Sequence, residues 1–482
     1  MIRAIAISVA IVAALAGNAD AQDARGVVEE ASRAMGVAGL DSIAFAGTAA
    51  YGNIGQSRRI SFGLASTTIG DFTRTIDFVR SAMHTTGVAG APAVPGNPPP
   101  GFFEETVSPT DGWTTQLDIW MTPWGFLRGA AAQPVTVKTE KIEGVLFKVV
   151  TLTPPFKSPS GQSYKLTGYI NAENLVERTE TWVEHPVFGD MRVESFFSNY
   201  QDVSGVKVPA RMAQRRMSME TFVAIVKTAN VNPPRLTELM KPLAPPHERA
   251  PLSAAVTSEM IADGVYRISG RYVALAVGLK DGVVVIGGGS TCGMDPCSPQ
   301  ESEQLGLAIL AETEKLFPGK AVKYIVNTHA HFDHSAVLPP FAADGITIVT
   351  DDQNRYFIEQ ALSEPRTLAG DALARSKKKP KVIGVEEMLV LGDASRSVEL
   401  HHLMKIDHSD GMLVAYLPTE KILFAGDIDV PPAGEPPGQA LLSLFQNVDR
   451  LKLDFDRYVT ARPVARPPIT RAELVKLTQE AH

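Results

Sequence analysis

Hydrophobic and polar positions alternate in short runs over the first half of the chain. After a helical opening from Gly26 to Met35, β-rich segments recur at Ile43 to Tyr51, Phe72 to Arg80, Val145 to Leu152, Tyr164 to Asn171, Leu175 to Glu184 and Met191 to Tyr200. Period-two alternation of β-branched and aromatic residues predicts strands with one buried face. One helix is expected to interrupt them near Trp120 to Ala132. Gly87 to Gly101, with its GAPAVPGNPPPG run, reads as a long exposed loop. Residues 23–231 are therefore expected to form a mainly antiparallel β domain.

The pattern changes beyond a proline-rich connector at 232–252, where Asn232-Pro233-Pro234 and Pro242-Leu243-Ala244-Pro245-Pro246 act as semi-rigid spacers. From 253 to 482 apolar strands alternate with helices. Strands are expected at Gly264 to Ser269, Tyr272 to Leu279, Gly282 to Ile286 and in the run ending at Thr328. Later ones follow at Met388 to Leu391, Val398 to His402, Met412 to Leu417 and Ile422 to Phe424. Helices are expected at Pro299 to Leu316, Ala336 to Ala343, Asp352 to Leu362, Gln439 to Arg450 and Arg471 to Ala481. Alternation of this kind argues for sheets covered by helices on their outer faces.

Within this second part, the apolar run Ala321 to Val326 leads into Thr328-His329-Ala330-His331-Phe332-Asp333-His334. Residues two apart on extended chain point to the same side, so His329 and His331 converge at a strand end. The turn after Phe332 brings Asp333 and His334 to a neighbouring point. Imidazole nitrogens and carboxylates in this density are ligands for zinc and similar divalent cations. Two further stretches add Asp407-His408-Ser409-Asp410-Gly411-Met412 and Ile422-Leu423-Phe424-Ala425-Gly426-Asp427, joined by a strand-turn-strand that returns His408 and Asp427 to one sheet edge.

Composition narrows the partners. With 46 basic and 53 acidic residues the net charge is -7, and loss of residues 1–21 removes Arg3 and Asp20 together and leaves it unchanged. No basic face for nucleic acid is indicated, because the run Arg375 to Lys381 reads as a solvated loop before a strand. Met1-Ile2-Arg3, the apolar run Ala4 to Ala16 and the ending Ala19-Asp20-Ala21 are the three parts of a secretory signal, so residues 1–21 are expected to be cleaved and the protein to be periplasmic or secreted. No later stretch is long and apolar enough to span a membrane. Cys292 and Cys297 are the chain's two cysteines. In an exported protein, so close a pair across Gly and Pro reads as a loop-closing disulfide. Nothing in the sequence indicates an oligomeric state.

The order His-x-His-x-Asp-His, a downstream His before an apolar strand and then Phe-x-Gly-Asp resembles the metallo-β-lactamase fold, an αββα sandwich of hydrolases, over about residues 253 to 482. The resemblance implies a first metal on His329, His331 and His408, and a second on Asp333 and His334 with Asp427 bridging. The family's last ligand is a His after the penultimate strand. Here Asp456 to Pro463 offers Arg462, which is always protonated and cannot ligate. Three outcomes stand open: a second ion held by Asp333, His334, Asp427 and water; Arg462 as a fixed positive charge on Asp333 or Asp427 beside one zinc ion; or an inert site. His401 or His402 could substitute as ligands but read more simply as a strand-end pair.

The implied function is metal-dependent hydrolysis of a small-molecule ester, lactone, thioester or lactam by an activated water, with Asp333 or Asp427 orienting it and moving its proton. In the first part of the chain, Gly168 to Asn171, Val176 to Thr181, Phe196 to Val203 and the closing Gly205-Val206-Lys207-Val208-Pro209 are similar to the half-barrel of periplasmic lipoprotein carriers. That likeness implies a concave apolar face and supports the competing expectation, a ligand-binding protein with a silent metal site. An accessory domain is the simpler expectation, since a fold alone does not license a function.

Overall fold

A computed structural model of the chain describes residues 24–59, 64–90, 101–241, 253–290, 297–432, 435–462 and 466–479. The expected signal at 1–21, linker residues 242–252 and Cys292 lie outside these; Cys297 is disulfide-bonded. Two compact units form, each discontinuous in sequence. The first comprises the chain up to Asn53 with Ser66–Val183 and Met191–Arg249; the second comprises Ile54–Ala65, Glu184–Asp190 and Ala250 onward. The second unit thus draws in two segments from the part of the chain that reads as the β-rich domain.

The first unit is an 11-stranded sheet. Its earliest strand, Ser42–Asn53, pairs antiparallel with its latest, Met219–Val231, in the middle of the sheet, while Gly101–Val107 and Val135–Ile142 form the two edges. Two helices, not the one expected, connect those edges: Trp113–Trp120 and Pro123–Ala132. The break follows from local chemistry, because Pro123 suits the first position of a helix and the Thr122 side chain accepts from the Gly125 N–H at 3.0 Å. Trp124, Phe126 and Leu127 are fully buried. A cavity of about 30 Å³ lined by Arg74, Asp118, Met121, Phe197 and Phe222 is water-sized. Gly87 to Gly90, expected in a loop, belong to the strand Ala82–Gly90, with Val88 opposite Phe102. Gly87 is needed there, since a Cβ would lie 2.4 Å from the Ile69 side chain.

In the second unit, a seven-stranded sheet runs in sequence order from Thr257–Ala262 to Lys381–Val385. Its strands Val283–Gly287, Val322–Val326, Thr347–Asp351 and Lys381–Val385 are parallel, and parallel neighbours require crossovers. Helices Pro299–Leu316, Leu338–Asp344 and Asp352–Ser363 lie in those crossovers. A six-stranded sheet holds Ser397–His402, Leu413–Leu417, Ile422–Ala425 and Arg457–Thr460.

Strand Val273–Gly278 is buried at all six positions, and its alternation shows why. Val273, Leu275 and Val277 join Leu413, Ala415 and Phe424 in the core between the sheets, while Ala274 and Ala276 meet Ile309 and Phe341 on the helical side. On the other sheet, Val414 and Leu423 pack outward against Leu441, Leu444 and Val448 of helix Gln439–Leu451. The result is an αββα sandwich with a dry centre and helices outside. Among the described residues, no helix is long and apolar enough to cross a membrane.

One of the two captured segments is held by a buried ion pair. Arg366 bonds to Asp371 and donates to the Pro186 carbonyl at 2.6 Å and the Val187 carbonyl at 3.1 Å, and both charged side chains are almost fully enclosed. Removal of one partner leaves a buried charge uncompensated. Asp371→Ala is expected to destabilise this unit by about 3–5 kcal/mol; a urea unfolding midpoint unchanged from the parent would refute that assignment.

Candidate metal centre

The strand Val322–Val326 ends before the histidine cluster, so His329 and His331 lie in the loop beyond it and not on extended chain as expected. His331 is the N-cap of a single helical turn, Phe332–Ser335, and that turn carries Asp333 and His334. The neighbouring sheet delivers the rest. His408 precedes strand Leu413–Leu417 and Asp427 follows its antiparallel partner Ile422–Ala425, so adjacent strands bring them to one edge. The Leu413 N–H donates to the Thr328 carbonyl at 2.8 Å, tying the two sheets together at this point. Gly426 permits the approach, because a Cβ there would stand 2.6 Å from Thr328 Oγ1.

All six predicted residues come together. His329, His331, His408 and Asp427 offer ligand atoms within 4.8 Å of one another, and Asp333, His334 and Asp427 form a second such group. His329 Nε2 and His408 Nε2 are 3.2 Å apart, and the His331 ring lies 4.5 and 4.7 Å, centroid to centroid, from those of His329 and His408. His331 Nε2 donates to the Ser57 carbonyl at 3.2 Å, which fixes the proton on that nitrogen and leaves Nδ1 as a bare lone pair. Buried Nδ1 of His331 has no hydrogen-bond partner, and His329 Nδ1 is bonded to Thr328 Oγ1 at 3.1 Å. Nitrogen atoms gathered this closely, with the far nitrogens of His329 and His331 anchored, fit a cation.

Charge follows burial. Desolvation, reinforced by the neighbouring rings, holds His329 well below its ordinary pKa and His331 down to about 4. His408 is also lowered, chiefly by burial, against the opposing pull of Asp427. These three rings are neutral at physiological pH, the form that ligates. His334 goes the other way: burial pulls it down, but Asp427 and Asp333 together outweigh this and raise it. Asp427 is pushed up by burial and more strongly down by His334, Arg462 and His408, so it stays ionised.

Arg462 meets this carboxylate. Its Nη2 lies 3.0 Å from Asp427 Oδ2 and 3.4 Å from Asp429, and its guanidinium sits 5.6 Å over the Tyr272 ring. His401 and His402 are bound elsewhere, to Glu399 at 3.0 Å and Asp351 at 2.6 Å, and belong to neither group.

Three contributors carried no signal in the sequence. The Tyr272 hydroxyl donates to Asp333 Oδ2 at 2.6 Å, and its ring stacks on His334. Gln56 Nε2 donates to Asp333 Oδ1 at 3.0 Å, and Ser57 supplies the carbonyl that orients His331. Arg58 extends the same short segment by bonding Asp410 at 2.8 Å, Asp407 at 3.1 Å and the Ile406 carbonyl at 3.0 Å around the His408 loop.

Residues 272–440 match the metallo-beta-lactamase superfamily family model. No curated protein matches the chain. Among solved structures, a metallo-beta-lactamase from Pontibacter korlensis is similar at 19% identity, over 46% of this chain and 96% of its own, with a TM-score of 0.33. The DIM-1 metallo-beta-lactamase is similar at 15% identity over 47% and 96%, with a TM-score of 0.35. A third, from Erythrobacter litoralis with beta mercaptoethanol in its active site, shows 16% identity over 47% and 96% and a TM-score of 0.32. Family match and His/Asp cluster together support a metal-dependent hydrolase. The chain carries, at residues 272–440, a metallo-hydrolase domain of the metallo-beta-lactamase superfamily.

Proposed function

We propose that this protein is an exported, zinc-dependent hydrolase that cleaves a small-molecule ester, lactone, thioester or lactam. One observation carries the metal: His331 Nδ1 is buried and unpartnered in a cluster where ligand atoms of His329, His331, His408 and Asp427 lie within 4.8 Å of one another. Nitrogen donors of this kind favour zinc over hard, oxygen-seeking cations. Export rests on the three-part plan of residues 1–21.

A divalent cation in that cluster supplies Lewis acidity, polarising a carbonyl and making water nucleophilic near neutral pH. The protein's own groups divide the remaining work. Asp427, paired with His334 at 2.7 Å and Arg462 at 3.0 Å, is held ionised and is a poor proton acceptor. It positions. Asp333 faces no fixed cation as closely; its oxygens accept from Gln56 and Tyr272, which aim the carboxylate without neutralising it. Asp333 is the better acceptor for the proton lost by attacking water.

Purified mature protein assayed on a panel of esters, lactones, thioesters and lactams is expected to turn over at least one class, to lose that activity on chelation and to regain it with zinc. Asp333→Asn should lower the rate by about 10²-fold or more. Turnover that survives complete metal removal, or none in a zinc-loaded sample, would rule the assignment out.

The lowered imidazoles make a second expectation. Across the interval from about 6.5 to about 4, the unfolded chain takes up a proton at His331 that the folded chain excludes. Stability of the metal-free protein therefore rises with pH through that interval and is lost as pH falls through it. His329 and His408 act with the same sign, and the raised His334 opposes them. Thermal melts of metal-free protein should show the midpoint dropping from pH 6.5 to pH 4, with a flatter profile in His331→Gln. Identical profiles for the two proteins would show that His331 is not buried in its neutral form.

A further inference from the structure

We infer that the guanidinium of Arg462 stands in for a second cation, so that the centre binds a single metal ion at His329, His331 and His408. The inference rests on the metal reading proposed above and fixes the stoichiometry of the same site.

The two ligand-capable groups differ in what already satisfies them. In the first, His331 Nδ1 has no partner, and His329 and His408 meet only each other, Nε2 to Nε2 at 3.2 Å, so a cation there displaces a single hydrogen bond. In the second, every carboxylate oxygen already meets a proton donor. Asp333 Oδ1 accepts from Gln56 at 3.0 Å and Oδ2 from the Tyr272 hydroxyl at 2.6 Å. Asp427 Oδ1 accepts from His334 Nε2 at 2.7 Å, and Oδ2 faces Arg462 Nη2 at 3.0 Å. His334 Nδ1 alone is left over, and one atom does not make a cation site.

Arg462 is built into this position. The Ala461 N–H donates to the Gly426 carbonyl at 3.0 Å, locking the residue before Arg462 to the residue before Asp427. Asp429 at 3.4 Å and the Tyr272 face at 5.6 Å hold the guanidinium from two further sides. A guanidinium cannot lose its proton, and it only donates. A metal ion entering between Asp333, His334 and Asp427 would have to share carboxylate oxygens already engaged in three hydrogen bonds and an ion pair, and stand beside a permanent like charge. The first group asks for one hydrogen bond, between His329 and His408 Nε2, in exchange for a partner to the bare Nδ1 of His331.

The test is metal content, independent of turnover. Full-length protein incubated with excess zinc, desalted and measured by elemental analysis is expected to hold about one ion per chain, with a single binding event in calorimetry. Arg462→His, which removes the fixed charge and offers a neutral imidazole, should hold about two; Arg462→Lys, which keeps the charge, should stay at one. Two ions in the parent protein would overturn the inference and leave the hydrolase assignment standing, whereas none in the parent would remove that assignment as well. Should Arg462→His fail to fold, Arg462→Gln serves in its place: a second calorimetric event supports the inference, and its absence at millimolar zinc overturns it.

Discussion

Everything in the C-terminal unit converges on the cost of burying three imidazoles against one another. Neutral rings that desolvation keeps from protonating have lone pairs that must be met by something, and inside a sandwich water cannot serve freely. His329 is wholly enclosed and His331 nearly so, yet His331 Nδ1 meets no donor and His329 Nε2 meets only the Nε2 of His408. Such an arrangement leaves nitrogen valences that the cation proposed above would fill. The two sheets supply the rigidity that keeps it from relaxing: the Val273, Leu275 and Val277 core is dry, and the Leu413 to Thr328 hydrogen bond crosses between the sheets at the cluster's floor. Rings that cannot move apart are a preorganised site.

The second circle of contacts comes from a distance of 274 to 352 positions. Gln56, Ser57 and Arg58 lie between strands Ser42–Asn53 and Ala65–Asp77, but their partners are Asp333, His331, Asp407 and Asp410. The Gly55 carbonyl also receives the Phe332 N–H at 3.1 Å, and a Cβ at Gly55 would press into the Phe332 ring at 2.8 Å. Anchoring a ligand's far nitrogen fixes both tautomer and ring angle, so this short stretch selects which nitrogen of His331 is free. The C-terminal strands and helices make the sandwich; the segment at 55–58 decides how its histidines are presented.

Legibility in the sequence tracked the range of the interaction. Ligand candidates within 329–334 are local, and a period-two strand such as Val273–Gly278, buried on both faces, announces itself as an unbroken apolar run. His408 and Asp427 were legible because each flanks a strand of one hairpin. What failed was either chemistry at a junction or pairing at a distance. Thr122-Pro123 is a helix start inside what reads as one helix, and capping outweighed the continuous apolar pattern. Gly87 to Gly90 looked like loop because glycine weakens a strand, yet Gly101–Val107 returns to pair with them. Gln56 and Tyr272 have no pattern at all around them that could mark a partner 277 and 61 positions away.

Arg462 shows why a change of one residue type can alter a site without emptying it. A divalent ion and a guanidinium both neutralise Asp427, but only the ion accepts lone pairs and can activate water; the guanidinium donates, and its charge is permanent. Replacing one by the other keeps the carboxylate ionised and aimed while withdrawing a second point of Lewis acidity. On the single-ion reading inferred above, chemistry falls to the three-histidine group, and the proton would leave through the carboxylate that cations hold less closely. Asp333 comes nearer to that condition because its donors, Tyr272 and Gln56, are uncharged and His334 stands off at 3.9 Å. Asp427 does not, since His334 and Arg462 both bear on it. The asymmetry between two aspartates of similar burial is therefore set by the charge of what touches them.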